Sequence, residues 1–367
     1  MKFITKQQNK TTCKYKLLNK ITIYKKEKFI SCKAYYILGF MFLKKRIKPN
    51  RQTTYLFGLK IKDKKFNLVP KILPYANGKD FIYYCFHTGD FYYLCQIIKV
   101  NMDKFKNTVI ITNFKELKQV LYLFDFNEDW INEHFVVVPK LWYFSYALHC
   151  KSDGSIISEM ELDHEKGWIV NGKLQKENGK YLPINRVIQN FIGINNIAKP
   201  QLTDSQISKN NTIFIMPESQ FNGNLDIKIL TDLVNNLINL GYKVAINTNS
   251  NRYDSLLSDD VYKIFLPYKE TFNFVCNCEA IIGVRSGLFD CLQELVNLNV
   301  KCFVIYQNQK YPHYKFFKKF HFWFTQVYSF NKINNCEIYN EYFTIEEFTS
   351  LNNNINSNLT NKEKTHA

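Results

Sequence analysis

Residues 211–306 switch repeatedly between two periodicities, and this alternation limits the possible folds more than any other feature. NTIFIMP (211–217) is a short apolar run closed by proline. DIKILTDLVNNLINLGY (226–242) places Ile229, Leu233, Leu237 and Leu240 on one helical face, with Gly241 as its stop. KVAINT (243–248), VYKIFLP (261–267), AIIGV (280–284) and KCFVIY (301–306) read as further strands. ETFNFVCNC (270–278) and SGLFDCLQELVNLN (286–299) read as helices. Strands separated by helices of this length form a parallel sheet with crossovers.

The same signal runs through residues 81–139. FIYYCF (81–86), NTVIIT (107–112) and HFVVVP (134–139) are strand patterns, with helices predicted at FYYLCQIIK (91–99) and FKELKQVLYLF (114–124). The expected fold class is α/β, with two Rossmann-like doubly wound domains facing a cleft. Residues 151–180 are polar, contain glycine and show little period, so they read as an excursion or loop. INRVIQNFIGI (184–194) reads as a helix, 198–211 as a linker and the Asn-rich end as disordered. The expected division is 1–80, 81–200, 201–310, an extension at 311–350 and a disordered tail at 351–367.

The first eighty residues repeat one pattern. YKLLNKITIYKK (15–26), YYILGFMFLKK (35–45) and YLFGLKIKDKK (55–65) each carry an aromatic, apolar residues, Asn or Gly, then alternation into lysines. Asn19, Gly39 and Gly58 recur about every 20 residues, so each unit reads as a short β-hairpin or bent strand. The net charge of +17 is concentrated here. Residues 1–80 hold 21 Lys/Arg against 3 Asp/Glu, whereas the remainder holds 28 against 29. A local positive field with interleaved aromatics suits an anionic membrane surface or an acceptor phosphate. A solvated basic face with no partner is the alternative. No recognisable nucleic-acid module accompanies it, so no nucleic-acid partner is expected.

Most of the ten cysteines, such as Cys85, Cys95, Cys291 and Cys302, sit in apolar segments as small core residues. Cys276 and Cys278 have no second pair or histidine at zinc spacing, so no metal site is expected. The start lacks the apolar middle of a signal peptide, and AYYILGFMFL (34–43) is shorter than the ~20 residues of a membrane span. The expected location is cytoplasmic, peripheral on the inner face of the cytoplasmic membrane.

The turn after AIIGV is the first candidate site. Arg285, Ser286, Gly287 and Leu288 stand where a strand hands over to a helix. Unpaired amides and the helix dipole favour an anion there. Arg285 adds a guanidinium fork, Ser286 a cap or donor, and Gly287 close access to the backbone. Alternatively, Ser286 is an ordinary cap and Arg285 pairs with Asp290.

On the run from 211 to 306, with MPES, LTDLVNNLINLGY, KVAINTN, LPYKE and AIIGVRSGL, the chain resembles the donor half of the glycosyltransferase B fold. It is similar to the heptosyltransferase-like glycosyltransferase family 9. That family carries an aspartate, Gly-Pro and a histidine at this turn; the RSGL form is similar to variants among bacterial surface-polysaccharide glycosyltransferases. The resemblance implies an inverting transfer from a nucleotide-diphosphate sugar to a lipopolysaccharide, lipooligosaccharide or capsule acceptor; with no Asp-x-Asp motif at a strand end, metal-independent chemistry without a cofactor is expected. It makes 81–200 the acceptor domain and 201–310 the donor domain. Donor contacts would come from Arg285, Ser286, Gly287, Leu288, Asp290, Glu218, Ser219 and Tyr268. HTGD (87–90) matches the family's Gly-Asp pair, which makes Asp90 the catalytic base, with His87 as its rival and Thr88 and Gly89 beside the acceptor. A helix cap at Asp90, or ordinary surface loops at 216–219 and 266–270, are the structural alternatives. A non-catalytic nucleotide or glycan binder, an epimerase or a phosphoglycerol transferase would share the fold.

Overall fold

The computed structural model describes residues 4–8, 12–17, 21–29, 32–38, 40–48, 51–65, 67–138, 146–163, 166–198, 209–219, 223–284, 286–292 and 300–305, and residues 353, 357 and 359. Arg285, the extension at 311–350 and most of the linker at 198–211 lie outside these. Two compact units divide the chain. The first comprises Met1–Phe86, Asp103–Lys115 and Asn132–Leu174; the second comprises His87–Met102, Glu116–Ile131 and Gln175–Ala367.

The basic segment forms one antiparallel sheet of seven strands in sequence order: β1 (Ile4–Gln8), β2 (Thr12–Leu17), β3 (Ile21–Phe29), β4 (Cys32–Ile37), β5 (Phe40–Lys48), β6 (Arg51–Leu56) and β7 (Leu59–Lys65). Turns after β2, β4 and β6 fall at the same end of the sheet, because consecutive antiparallel strands alternate direction. Just past each of these turns the register slips by one, leaving Ile23, Phe42 and Ile61 as extra residues. Each such bulge bends its strand. Leu38 N–H donates to Ile23 O at 3.1 Å, and Phe57 N–H donates to Phe42 O at 2.8 Å. The β4–β5 and β6–β7 tips are therefore each tied to the bulge of the hairpin before, which gives the sequence repeat a physical basis.

Past α1 (Val69–Ile72) the chain runs through β8 (Asp80–Cys85), α2 (Thr88–Val100), α3 (Met102–Phe105), β9 (Thr108–Thr112), α4 (Lys118–Leu123), α5 (Glu128–His134) and β10 (Phe135–Val137). Then come β11 (Tyr146–Cys150), β12 (Ile156–Asp163), β13 (Gly167–Val170) and β14 (Lys173–Leu174). The sheet order is β10-β9-β8-β11-β12-β13-β14. Only β8, β9 and β10 are parallel; from β11 onward the pairing is antiparallel. The expected loop at 151–180 is thus largely sheet. Its buried positions alternate, as Ser158 and Met160 do in β12, but a serine on the inner face hides that period from a hydrophobicity reading. Val69, Ile72, Phe81, Tyr83, Val109 and Leu148 are among the buried side chains that form the core beneath α1.

Two short hairpin strands, β15 (Lys176–Glu177) and β16 (Lys180–Tyr181), precede α6 (Ile184–Ile192). The chain continues through β17 (Thr212–Met216), the hairpin β18 (Glu218–Ser219) with β19 (Gly223–Asn224), α7 (Ile227–Asn239), β20 (Lys243–Asn247), β21 (Val261–Ile264), α8 (Tyr268–Cys276), β22 (Ala280–Val284), α9 (Gly287–Leu292) and β23 (Lys301–Ile305). These five longer strands form a wholly parallel sheet in the order β21-β20-β17-β22-β23.

Helix α7 shows why this half folds as it does. Asp226 caps it by accepting from Lys228 N–H at 2.9 Å, and Gly241, at φ +83°, allows Tyr242 N–H to reach back to Leu237 O at 3.1 Å. Its buried stripe is Leu230, Leu233, Val234 and Leu237, one position round from the expected one; Ile229 and Leu240 are only half-buried. Burial of each such side chain stabilises by about 1.5–3 kcal/mol. Leu359 joins the same core, and residues 353, 357 and 359 are helical. That corrects the expectation of a disordered tail at these residues. Leu351, Ile355 and Leu359 recur every four residues among the asparagines, which is a helical period.

Candidate functional site

The strand order of the parallel sheet fixes one special place. From β17 the chain proceeds outward through β20 and β21, then returns to the other side of β17 as β22. The carboxyl ends of β17 and β22 therefore flank the point where the order reverses, and crevices for ligands form there in open α/β sheets. The two strands close tightly: a Cβ on Gly283 would fall 2.6 Å from Met216 Cβ and 2.8 Å from its carbonyl oxygen. No other residue fits that position without moving backbone.

Glu218 and Ser219 follow β17 after Pro217 and form β18, which lies beside β22. Glu218 is half-buried, and its Oε2 accepts from Thr248 Oγ1 at 2.8 Å. The same Thr248 oxygen accepts from Ser250 N–H at 3.0 Å. The carboxylate is thus held from the carboxyl end of β20, next to β17. Thr248 has no prominence in the sequence; only its place as the last residue of KVAINT marks it.

Three helix starts converge beside this point within the second unit. Thr88 opens α2, Tyr268 opens α8 and Gly287 opens α9. A side-chain hydrogen bond links Tyr268 to Thr88, and burial pushes the Tyr268 phenol up to about 12 against the opposing effect of that bond. Tyr268 N–H donates to Gln119 Oε1 on α4 at 3.2 Å. Ser286 is the cap of α9: its Oγ accepts from Phe289 N–H at 3.1 Å, which leaves the hydroxyl proton free to donate elsewhere.

Gly287 is explained by packing. The space its Cβ would fill holds Thr88 Cβ at 2.8 Å and Gly89 N at 2.9 Å. The expectation that this glycine opens the backbone to a ligand is corrected to that extent: α2 occupies the approach. Ser286, Gly287 and Leu288 remain half-buried, so the turn is not sealed. Asp290 is only 2% exposed, and its carboxylate fills the place of a side chain on Gly89. Partial positive charge at the start of α2 therefore meets a carboxylate of the protein itself.

The candidate base lies in the same region. Helix α2 begins at Thr88, earlier than the expected Phe91, so Asp90 sits inside the first turn rather than at its cap. Asp90 is 5% exposed. His87, in extended backbone at the cap position, is half-buried and more accessible. The sequence-predicted residues therefore fall into two groups, one at the start of α2, α8 and α9 and one at the end of β17. Among the described residues no group of three His, Cys, Asp or Glu side chains is arranged to hold a metal.

No family model matches the sequence, and no curated protein matches it. Solved structures do. ADP-heptose LPS heptosyltransferase II of E. coli matches at 16% identity and a TM-score of 0.33, over 45% of this chain and 54% of its own. The match thus spans about half the length of that protein. The iron-containing dodecameric glycosyltransferase TibC of enterotoxigenic E. coli matches at 12% identity and 0.35, over 74% of this chain and 68% of its own. The E. coli heptosyltransferase WaaC with ADP matches at 8% and 0.38, over 63% and 88%. At these scores the likeness carries no assignment of activity.

Proposed function

We propose that the chain is a nucleotide-sugar glycosyltransferase of the glycosyltransferase B type. The observation that supports this most is the switch point between β17 and β22, with the Glu218–Thr248 pair on one side and the Ser286–Gly287 turn on the other. A carboxylate held by a neighbour suits ribose or sugar hydroxyls. Ser286 and the guanidinium of Arg285 suit the diphosphate, whose charge grows as the sugar leaves. Tyr268 lines the same turn. The reading extends to inverting, metal-independent transfer of a hexose or heptose to a bacterial surface glycan or glycolipid, at an anionic membrane surface bound through residues 1–80. Asp90 acts as base on the acceptor hydroxyl, beside Thr88 and Gly89.

Calorimetric titration of the purified chain with nucleoside diphosphates of each base tests the reading. Binding to at least one, weakened in Arg285→Ala, is expected; no binding to any of them defeats it. The burial of Asp90 favours a second reading, a nucleotide-sugar binder without turnover. Under that reading Asp90→Asn and His87→Ala bind donor as the parent does, and no sugar transfer is detected in any of the three.

A further inference from the structure

The antiparallel sheet of the first unit exposes apolar side chains in an unusual place. Leu38 and Phe57 lie at the β4–β5 and β6–β7 tips, with φ of +45° and +46°. Side chains other than Asn, Asp and Gly rarely take that backbone region, which hairpin turns normally give to those residues. Both are also solvent-facing: Leu38 is 59% exposed and Phe57 73%. Their strand neighbours Phe40 and Leu59 are 78% and 74% exposed. A leucine and a phenylalanine here are unfavourable twice over, in backbone conformation and in hydration. Departures of this kind, repeated at equivalent positions of two units, point to binding.

The charges are placed further along the same strands. Lys44 and Lys60 flank Tyr55 across β5, β6 and β7, and Lys45 and Lys62 flank Thr54. At about 3.3 Å per paired residue, with Ile61 bulged out of the count, Lys60 and Lys62 stand roughly 7 and 10 Å from the β6–β7 tip. Apolar groups of interfacial elements enter about 5–10 Å into the headgroup and acyl boundary, with the charged groups above them. The offset between tip and lysines matches that layering.

We propose that the hairpin tips carrying Leu38 and Phe57 insert into an anionic lipid bilayer, with the lysine rows above them meeting lipid phosphate. A nucleic acid would account for the lysines and leave the apolar tips in water. A second copy would have to bring two segments together that each carry 21 basic and 3 acidic residues, and these repel. An anionic leaflet accepts both the tips and the charge. The inference refines the docking role of residues 1–80 within the proposed function. Its readout contains no sugar transfer, so either can fail without the other.

Flotation of the full chain with vesicles of phosphatidylcholine plus phosphatidylglycerol, and of phosphatidylcholine alone, is the test. The parent should float with the anionic vesicles and much less with the neutral ones. The double variant Leu38→Asn, Phe57→Asn should lose about tenfold or more of the binding. Its melting temperature should hold or rise, because asparagine suits positive φ. In a second variant, Phe57→Trp, the indole emission should shift to the blue with anionic vesicles and be quenched by brominated acyl chains. Unchanged binding by the asparagine variant overturns the proposal, and so does equal binding to neutral vesicles, binding to neither, or an unquenched indole. A dimer in sedimentation that the asparagine variant breaks, without lipid binding, would assign the tips to a second copy instead.

Discussion

Gly287 and Thr88 meet so closely that a Cβ added to the glycine would lie 2.8 Å from Thr88 Cβ, with the Gly89 amide nitrogen at 2.9 Å on the same side. The second neighbour is backbone and cannot rotate away. Gly287→Ala should therefore push the starts of α2 and α9 apart and lower stability by about 1–3 kcal/mol, the usual range for overpacking. Denaturant unfolding measures this; a loss under ~0.5 kcal/mol would mean that the two helix starts separate easily.

Gly89 makes the reciprocal contact with a side chain, the carboxylate of Asp290. Gly89→Ala alone should destabilise the second unit. Asp290→Ala removes the obstructing oxygens, so the double variant should cost less than the sum of the two single changes by about 0.5–3 kcal/mol. Strict additivity in the cycle would show that the contact does not govern this junction.

Thr248 holds Glu218 through one hydrogen bond of 2.8 Å. Thr248→Val keeps the shape and removes the donor. The expected loss is about 0.5–1.5 kcal/mol in nucleotide-sugar binding, if Glu218 reads the donor as proposed. Calorimetry against the parent checks it, and an unchanged Kd would take Glu218 out of the donor site.

The regular parts of this fold were legible where a strand is continuously apolar, as β22 is, and where a helix carries its own cap and stop, as α7 does. AIIGV became β22, and the Asp226 cap and Gly241 bound α7 as their residue types suggest. Finer features depend on contacts that local pattern does not record. The inner face of β12 includes Ser158, and α2 packs on α9 far along the chain through two glycines. The candidate site was half visible. Residues 87–90 and 286–290 were marked by their turns and do come together, whereas Thr248 and Gln119 act through partners that only folding supplies. Gly287 was noticed for the right property, its missing side chain, but the space is taken by Thr88 and not by a ligand.

His149 gives the first unit a titration of known direction. Burial in β11 lowers its pKa from the ordinary 6.5, outweighing the attraction of Asp80. The folded chain thus keeps a neutral imidazole at pH values where the unfolded chain is already protonated. Stability from this residue is present above about 6.5 and is lost as pH falls through that value toward the folded pKa. Unfolding midpoints should drop between neutral and mildly acidic pH, and His149→Gln should flatten that drop. An equal drop in the variant would assign the acid sensitivity to other groups.

The bond from each hairpin tip to the bulge behind it also governs how the basic segment can change in length. Ile23, Phe42 and Ile61 stand nineteen residues apart, and each tip described, Leu38 and Phe57, reaches back only to its immediate predecessor. A whole unit can therefore be gained or lost with every remaining tip still emerging along one margin. An insertion of half a unit would reverse the next turn and send its greasy corner to the opposite margin. Copy number, in steps of nineteen, is thus the variable by which such a segment would tune its grip.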